Sequence, residues 1–300
     1  MERKNYNYKK GLLALALCYL IWGFQPLYFA LNAEIDTAFL LAVRILWAAL
    51  FCVVILWLQE KLPQLKEVFR CRKLLLRELP AALLLFADWA IYLYACRFGK
   101  VLECSMGYYI MPLVMVVFGA VIFREQLRKV HFIALALLVI GVVLSAKGFG
   151  GMPYVVISLA LCFAVYSALK KSLEIDSIVS TTAEILMMVP FALVFILVFH
   201  RGELSALPFS SRLFMAGSGF VTALPMLFFA IGVSELPLSL TGVTQYISPT
   251  LGIVCGLILG EGFSKSKLLS FAFIWAGVIL YSVYELICQK KEPANKTDLQ

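Results

Sequence analysis

Ten apolar runs, each long and nearly free of charge, dominate this sequence: roughly 11–31, 37–58, 74–95, 101–123, 130–147, 153–171, 178–199, 210–233, 238–260 and 265–287. A helix of about 20 residues crosses the roughly 30 Å hydrocarbon layer of a bilayer. Lipid offers the backbone no hydrogen bonds, so such runs fold as helices packed side by side. Composition agrees, with 62% hydrophobic and 15% charged residues, where a soluble domain has about 25% charged. The chain therefore reads as an all-α integral membrane protein with ten transmembrane helices and no loop long enough for an independent soluble domain. Residues 1–10 resemble the start of a signal peptide, but the run that follows is long and lacks a convincing cleavage site, so it is expected to remain as the first helix.

Basic residues give the orientation. With the N-terminus in the cytoplasm, 18 of the 26 Lys and Arg residues fall on the cytoplasmic side, seven fall outside, and Arg44 is left in the membrane. Lys/Arg excess marks the cytoplasmic face, so both termini are expected there. The bias comes from the first half; the second is balanced, and its orientation rests on the count of runs. The longest polar connection, Gln59 to Lys73, reads as a solvated basic linker. No basic stripe with interleaved aromatics occurs in a soluble segment, so the net charge of +8 does not imply a nucleic-acid partner. The eight cysteines are scattered, several of them inside apolar runs, and read as small helix residues, not as a disulfide or metal framework.

The chain also repeats itself. Glu34-Ile35-Asp36-Thr37 matches Glu174-Ile175-Asp176-Ser177 at an offset of 140, Tyr109-Ile110-x-Pro112 matches Tyr246-Ile247-x-Pro249 at 137, and Gly141 matches Gly277 at 136. Five runs per copy is an odd number, so the second copy enters the membrane upside down. The expected organisation is residues 1–149 as one five-helix repeat, 150–290 as a second, inverted one, and 291–300 as a cytoplasmic tail, with a site near the midplane between them.

Two matched stretches indicate where that site lies. Leu102 to Pro112 and Leu240 to Pro249 each set Tyr-Ile-x-Pro inside an apolar run, and each run leads to a glutamate, Glu125 or Glu261. Proline removes a helix hydrogen bond and clashes with the carbonyl one turn back, and the freed carbonyl needs protein or a water-filled cavity around it. Both stretches are expected to be interrupted helices lining a cavity; the competing reading is two kinks with no ligand. Tyr108, Tyr109, Pro112, Gln245, Tyr246 and Pro249 would line its middle, with Trp22, Asp88, Trp89, Tyr92 and Tyr166 around them. Flat rings with few fixed charges suit organic amphiphiles or amino-acid-like metabolites better than inorganic ions.

Three ionisable side chains fall well within the runs: Arg44, Asp88 and Glu184. Each costs roughly 2.5–3.5 kcal/mol at a helix centre, so each should face the bundle interior and a partner. Arg44 and Asp88 both fall roughly 10 Å below the outer surface at 1.5 Å per residue, so they can form a gate or charge pair. Glu184 is the inverted counterpart of Arg44, and Lys170 and Lys171 approach its level from the cytoplasmic side. These charges either hold helix register or meet substrate or a coupling proton.

Some chemistry is missing from the sequence. No G-x-x-x-x-G-K-[ST] loop is present for ATP. His131 and His200 are far apart, without an H-E-x-x-H motif, and no G-x-S-x-G elbow supports an intramembrane hydrolase. The chain is not expected to be an enzyme or to need a cofactor.

Leu102-Glu103-x-Ser105-Met106-Gly107-Tyr108-Tyr109-Ile110-x-Pro112-Leu113 with Glu125, Thr222-Ala223-Leu224-Pro225, and Leu236-Pro237-Leu238-Ser239 through Gly242 and Gln245-Tyr246-Ile247-x-Pro249-Thr250 to Glu261 resemble the RarD-type branch of the EamA, or drug/metabolite transporter, superfamily. Tyr19-Leu20-Ile21-Trp22-Gly23 and Arg44-Ile45-Leu46-Trp47 share the resemblance, which covers nearly the whole chain. It implies ten helices in two inverted five-helix halves, a multi-pass protein of the bacterial inner (plasma) membrane, and ATP-independent transport of a small organic metabolite or drug. Proton-driven export by alternating access is the direction implied. Two positions depart from the pattern: Val43-Arg44 stands where the family usually has His-Arg, and Asp88-Trp89 where it usually has Asn-Trp. Uptake or facilitated exchange stays open, as do, from other classes, a lipid flippase, a membrane enzyme, or a structural or sensory subunit. The sequence does not choose between a monomer and a homodimer.

Overall fold

The computed structural model describes residues 7–31, 35–97, 101–146, 153–258 and 265–291, with some side chains near these limits left out. Glu34 and Glu261 of the repeated motifs lie outside the described residues, as do the side chains of Tyr92 and Tyr109. The described elements are all helices: α1 (Tyr8–Ala30), α2 (Thr37–Leu58), α3 (Leu62–Arg70), α4 (Arg72–Arg97), α5 (Val101–Val121), α6 (Lys129–Ala146), α7 (Pro153–Ser172), α8 (Ser177–Phe199), α9 (Glu203–Ala206), α10 (Phe209–Glu235), α11 (Leu238–Thr244), α12 (Ile247–Ile258) and α13 (Lys265–Lys291). Among the described residues, α1, α2, α8 and α10 are long and apolar enough to cross a membrane on their own terms. The chain is an all-helical integral membrane protein.

The repeated Glu-Ile-Asp-Thr/Ser motif has a local cause. Asp36 and Asp176 occupy the same position before α2 and α8, with nearly identical backbone angles, and cap those helices. Asp36 accepts from the Phe39 N–H at 2.9 Å, and Asp176 from Ile178 and Val179 at 3.0 and 3.2 Å. An aspartate here satisfies amide donors that a helix start leaves bare. Asp176 also takes the Lys61 ammonium at 2.7 Å. Partial burial pushes its carboxyl up, but Lys61 and the helix amides outweigh that and hold it below its ordinary range.

Part of the basic linker is structured. Leu62 to Arg70 forms α3, with Pro63 in its first turn. Leu65 and Val68, three residues apart and so on one helical face, are buried against Leu56, Val179 and Ala183. The charges of this stretch face outward, as a solvated linker's would, but two apolar side chains anchor it.

Packing is reciprocal between the two halves of the chain. α1 lies on α10 and α12, α2 on α8 and α10, α4 on α7 and α8, α5 on α7 and α11, and α6 on α13. Exchanging α1, α2, α4, α5 and α6 for α7, α8, α10, α11–α12 and α13 leaves that pattern unchanged.

The two proline motifs differ. α5 runs unbroken through Pro112, so the interruption expected in the first half is absent; a helix can keep its course past one proline by bending around the lost bond. The second-half stretch does break, between α11 and α12. There the Gln245 N–H bonds Gly242 O at 3.0 Å, one residue short of the α-helical partner. The Thr241 carbonyl this releases is met instead by the Tyr19 hydroxyl of α1 at 2.9 Å and the Thr244 hydroxyl at 3.0 Å. Gly242 is where α5 and α11 touch: a Cβ there would fall 2.7 Å from Met115 Cβ and 2.9 Å from the Pro112 carbonyl.

Candidate functional site

Aromatic rings from α1, α7 and α10 pack together at the centre. Trp22 lies 5.6 Å from Phe229 and 6.0 Å from both Tyr19 and Phe163, and Phe163 lies 5.1 Å from Phe229. Tyr166 stacks on Phe229 at 6.3 Å. Helical spacing explains the cluster, since positions 19 and 22, and 163 and 166, share a face. Tyr19, Tyr166 and Phe229 are fully enclosed, whereas Trp22 is half-buried. Beside this group α5 and α11 bring Met111 and Gln245 together, Nε2 to Sδ at 3.1 Å, and the Gln245 carbonyl oxygen has no protein hydrogen-bond partner.

Two charged regions lie along one face of α4. Glu78, Ala81, Ala82, Leu85 and Asp88 recur at helical spacing and are all buried. Asp88 sits near the Cys162 thiol of α7. It forms no ion pair among the described residues, and its Oδ1 has no hydrogen-bond partner. The expected Arg44–Asp88 pair is therefore not formed in this conformation. The Arg44 guanidinium lies over the Trp89 ring at 5.2 Å and the Phe29 ring at 5.7 Å. Flat π-faces attract a guanidinium, and they hold this one beside Asp88's neighbour.

Glu78 belongs to a connected cluster. The Lys170 ammonium is 2.8 Å from Glu184 Oε1 and 2.7 Å from Ser180 Oγ, and the Tyr166 hydroxyl donates to Glu184 Oε2 at 3.0 Å. Ser180 Oγ reaches Glu78 Oε2 at 3.0 Å. Glu78 and Glu184 are wholly buried and the Lys170 side chain is 2% exposed. Successive helix residues point about 100° apart at 3.6 residues per turn, so Lys170 faces α8 while Lys171 faces elsewhere. Lys171 donates to the Leu236 carbonyl and lies over the Phe123 ring at 5.5 Å.

Lys171 helps to hold the joint between α10 and α11. Its ammonium meets the C-terminal end of α10, where carbonyls lack partners and a cation is favoured. On the other side of Pro237, Glu125 takes the first amides of α11: Leu238 N–H at 2.6 Å, Ser239 N–H at 3.0 Å and Ser239 Oγ at 2.5 Å. The carboxylate comes so close to α5 that a Cβ on Gly119 would collide with it. The glutamate that ends the first motif thus caps the start of the second.

Of the residues expected to line a site, Asp88, Pro112, Tyr166, Gln245 and Tyr246 are buried, and Trp22, Trp89, Tyr108 and Pro249 are half-buried. Glu184 is paired with Lys170. Glu78, Ser180 and Tyr19 are further participants. Glu78 looks like the polar start of its run, but its spacing to Asp88 on the face of Ala81, Ala82 and Leu85 is the signal that places it inside.

A likeness to a solved crystal structure, at TM-score 0.74 and 20% identity over 91% of this chain and 96% of the other, places the fold. The helical bundle with its long apolar helices is that of an integral membrane protein. The EamA-like transporter family matches residues 9–147 and again 152–283, and the chain belongs to that family. Similar proteins include the uncharacterized transporter YojE of Bacillus subtilis strain 168, 35% identical over 91% of this chain and 94% of its own length. Protein RarD of Escherichia coli K12 is 28% identical over 94% and 97% respectively, which puts the chain in the RarD-type branch. A protein of Pseudomonas aeruginosa named for chloramphenicol sensitivity, also a RarD, is 28% identical over 90% and 93%. The chain is a multi-pass transporter of a bacterial inner membrane, in a lipid surround and with a small-molecule substrate.

Proposed function

We propose that the chain is a secondary transporter that moves small organic metabolites or drugs outward across the inner membrane by alternating access. The ten spans would be α1, α2, α4, α5, α6, α7, α8, α10, α11 with α12, and α13, both termini cytoplasmic. Residues 1–149 and 150–290 would be inverted repeats, with 291–300 as a tail. The observation that carries this reading is the reciprocal packing of the two halves around the α11–α12 break, supported by the separate family match to each half. Inverted repeats meeting at a discontinuous helix are how such carriers expose one midplane site to either side.

Substrate would sit among Trp22, Trp89, Tyr108, Gln245 and the helix break, beside Asp88, whose enclosed Oδ1 has a free acceptor position. A buried polar atom without a partner is costly, and a substrate donor would relieve that cost. Tyr92, Tyr109, Pro112, Tyr166, Tyr246 and Pro249 complete the lining or support it. Arg44 would change partner during the cycle, from the rings of Phe29 and Trp89 to Asp88 or the substrate. The Lys170–Glu184 pair and the Glu125 and Lys171 contacts hold the cytoplasmic side together in this conformation.

Counterflow in proteoliposomes tests the reading. The purified protein should accelerate saturable exchange of at least one compound from a panel of amino acids and chloramphenicol, and an imposed pH gradient should drive accumulation. Exchange indifferent to the gradient would make it a facilitated exchanger. No movement across the panel would count against small-molecule transport.

A further inference from the structure

The Lys170–Glu184 pair does not use every charge in its cluster. Both Glu184 oxygens are committed, one to the Lys170 ammonium and one to the Tyr166 hydroxyl, so the pair is neutral as a unit. Glu78 brings a second carboxylate, fully enclosed, that meets the pair through Ser180. Its Oε1 has no hydrogen-bond partner among the described residues. Ionised, Glu78 leaves the cluster with a net negative charge; protonated, it leaves the cluster neutral. An isolated charge out of water is far costlier than a neutral acid.

Among the described residues, Lys170 is the cation that meets this cluster by hydrogen bond or ion pair, and Arg77, next to Glu78 in sequence, is exposed on the groove side of α4. Facing the cluster are Lys170 and Tyr166 from α7, Ser180 and Glu184 from α8, Cys52 from α2, and Cys18 from α1 by way of Tyr166. α3 contributes Leu65 and Val68, and α10 contributes Phe229. α5 carries its single charged residue, Glu103, near its opposite end. Lys170 is thus the one cation among these facing groups, and Ser180 joins it to both carboxylates.

We propose that Glu78 is the proton-binding residue of this transporter, and that Lys170 moves between Glu184 and Glu78 through Ser180 as the proton comes and goes. On release the Glu78 O–H bond breaks, the proton passes to water, and the ammonium, charge unchanged, turns toward the new carboxylate. Binding reverses each move. A groove between α4 and α7 is lined by residues that flank Glu78 and Lys170 in sequence, among them Pro80 and Leu169, and carries two charged groups, Arg77 and Glu174. Asp88 is the other enclosed carboxyl on α4, but no described residue joins it to a cation already shared with a second carboxylate as Ser180 does for Glu78; the nearby Arg44 lies over the rings of Phe29 and Trp89. The proposal rests on the transporter reading above and assigns its coupling site.

Infrared spectra of the full chain in liposomes, recorded across neutral pH, report the carbonyl stretch of a protonated carboxyl without any substrate. The expected result is a band that fades as pH rises, is missing in Glu78→Gln and persists in Asp88→Asn. In Glu184→Gln, where Lys170 is left to Glu78, proton affinity should fall by about tenfold or more, one pKa unit. A band that Glu78→Gln leaves intact, one that does not titrate, or one that only Asp88→Asn removes overturns the proposal. If Glu78→Gln does not fold, Ser180→Ala keeps all three ionisable groups and must move the titration midpoint; an unmoved midpoint overturns it equally. In the same liposomes, chloramphenicol uptake driven by a pH gradient is divided by chloramphenicol counterflow. That ratio should fall about tenfold in Glu78→Gln, equivalent to about 1.4 kcal/mol of lost coupling, and an unchanged ratio overturns the proposal. If wild-type protein moves no chloramphenicol, the transport reading fails for that probe, while the infrared result still decides the role of Glu78.

Discussion

At Glu78, α4 meets a serine, a lysine, a second glutamate and a tyrosine that hydrogen-bond to one another. Ten residues further along the same face, about 15 Å at 1.5 Å per residue, Asp88 lies near a thiol, while the nearby Arg44 is held over the rings of Trp89 and Phe29. Both carboxyls are buried, but only the first is wired into its surroundings. Each carboxyl keeps one oxygen without a partner among the described residues, but Glu78 is tied through Ser180 to an ion pair, whereas Asp88 belongs to no such network. The Lys170–Glu184 pair of the first region should therefore be sensitive to mutation through stability, Glu78 beside it through proton coupling, and Asp88 through movement of the substrate.

Lys170→Met should produce the largest loss. It strands Glu184 beside Glu78, and breaking a buried pair in this way costs about 3–5 kcal/mol. Thermal unfolding in detergent, followed by recovery of folded protein, measures it. A Lys170→Met protein as stable as wild type would erase the distinction between the two regions. Glu125→Ala comes next, at about 2 kcal/mol, because it leaves two amides and a hydroxyl at the start of α11 without their acceptor. Proteolysis near Pro237 should rise with it.

Asp176→Ala should cost about 1 kcal/mol, the usual loss for a helix N-cap. That loss should depend on pH. The Asp176 carboxyl is held below its ordinary range in the folded chain, so its contribution is present above the unfolded pKa and disappears as pH falls through the folded one. The stability gap between wild type and Asp176→Ala should narrow on acidification, and a gap constant with pH would mean that Lys61 and the helix amides together do not outweigh burial. The smallest stability change should come from Asp88→Asn, within about 1 kcal/mol and of either sign, since no ion pair is lost. The same variant should alter counterflow of its substrate several-fold. A collapse in stability would show that Asp88 is wired in after all, and unaltered transport would remove it from the substrate site.

Much of this was legible in the chain. The apolar runs gave the helical membrane fold because lipid leaves a backbone no other option, and the ionisable residues deep in those runs marked the region of the buried charges. Glu184's partner was readable as one of two adjacent lysines; helix rotation, which a depth count ignores, decides which. Glu78 was hidden because a charge near the start of a run looks like an end residue, and only the helical face it shares with Asp88 reveals it. The Arg44–Asp88 pair is not made in this conformation for a related reason: equal depth permits contact, but side-chain direction and aromatic rings determine it. Equal proline spacing likewise did not yield equal helices, since the break in the second copy depends on Tyr19, a residue more than two hundred positions away.

That hydroxyl bears on how the chain is assembled. The Thr241 carbonyl lacks its usual backbone partner, so the segment carrying it is poorly suited to enter lipid alone. Its missing donor is on α1, more than two hundred residues earlier in the chain and so made well before the segment itself. The bundle thus closes through a contact between a part made early and a part made late. During synthesis α1 must keep one flank uncovered until the ninth apolar run arrives, which makes the early intermediate a waiting surface, and a natural client for whatever shields half-built membrane proteins.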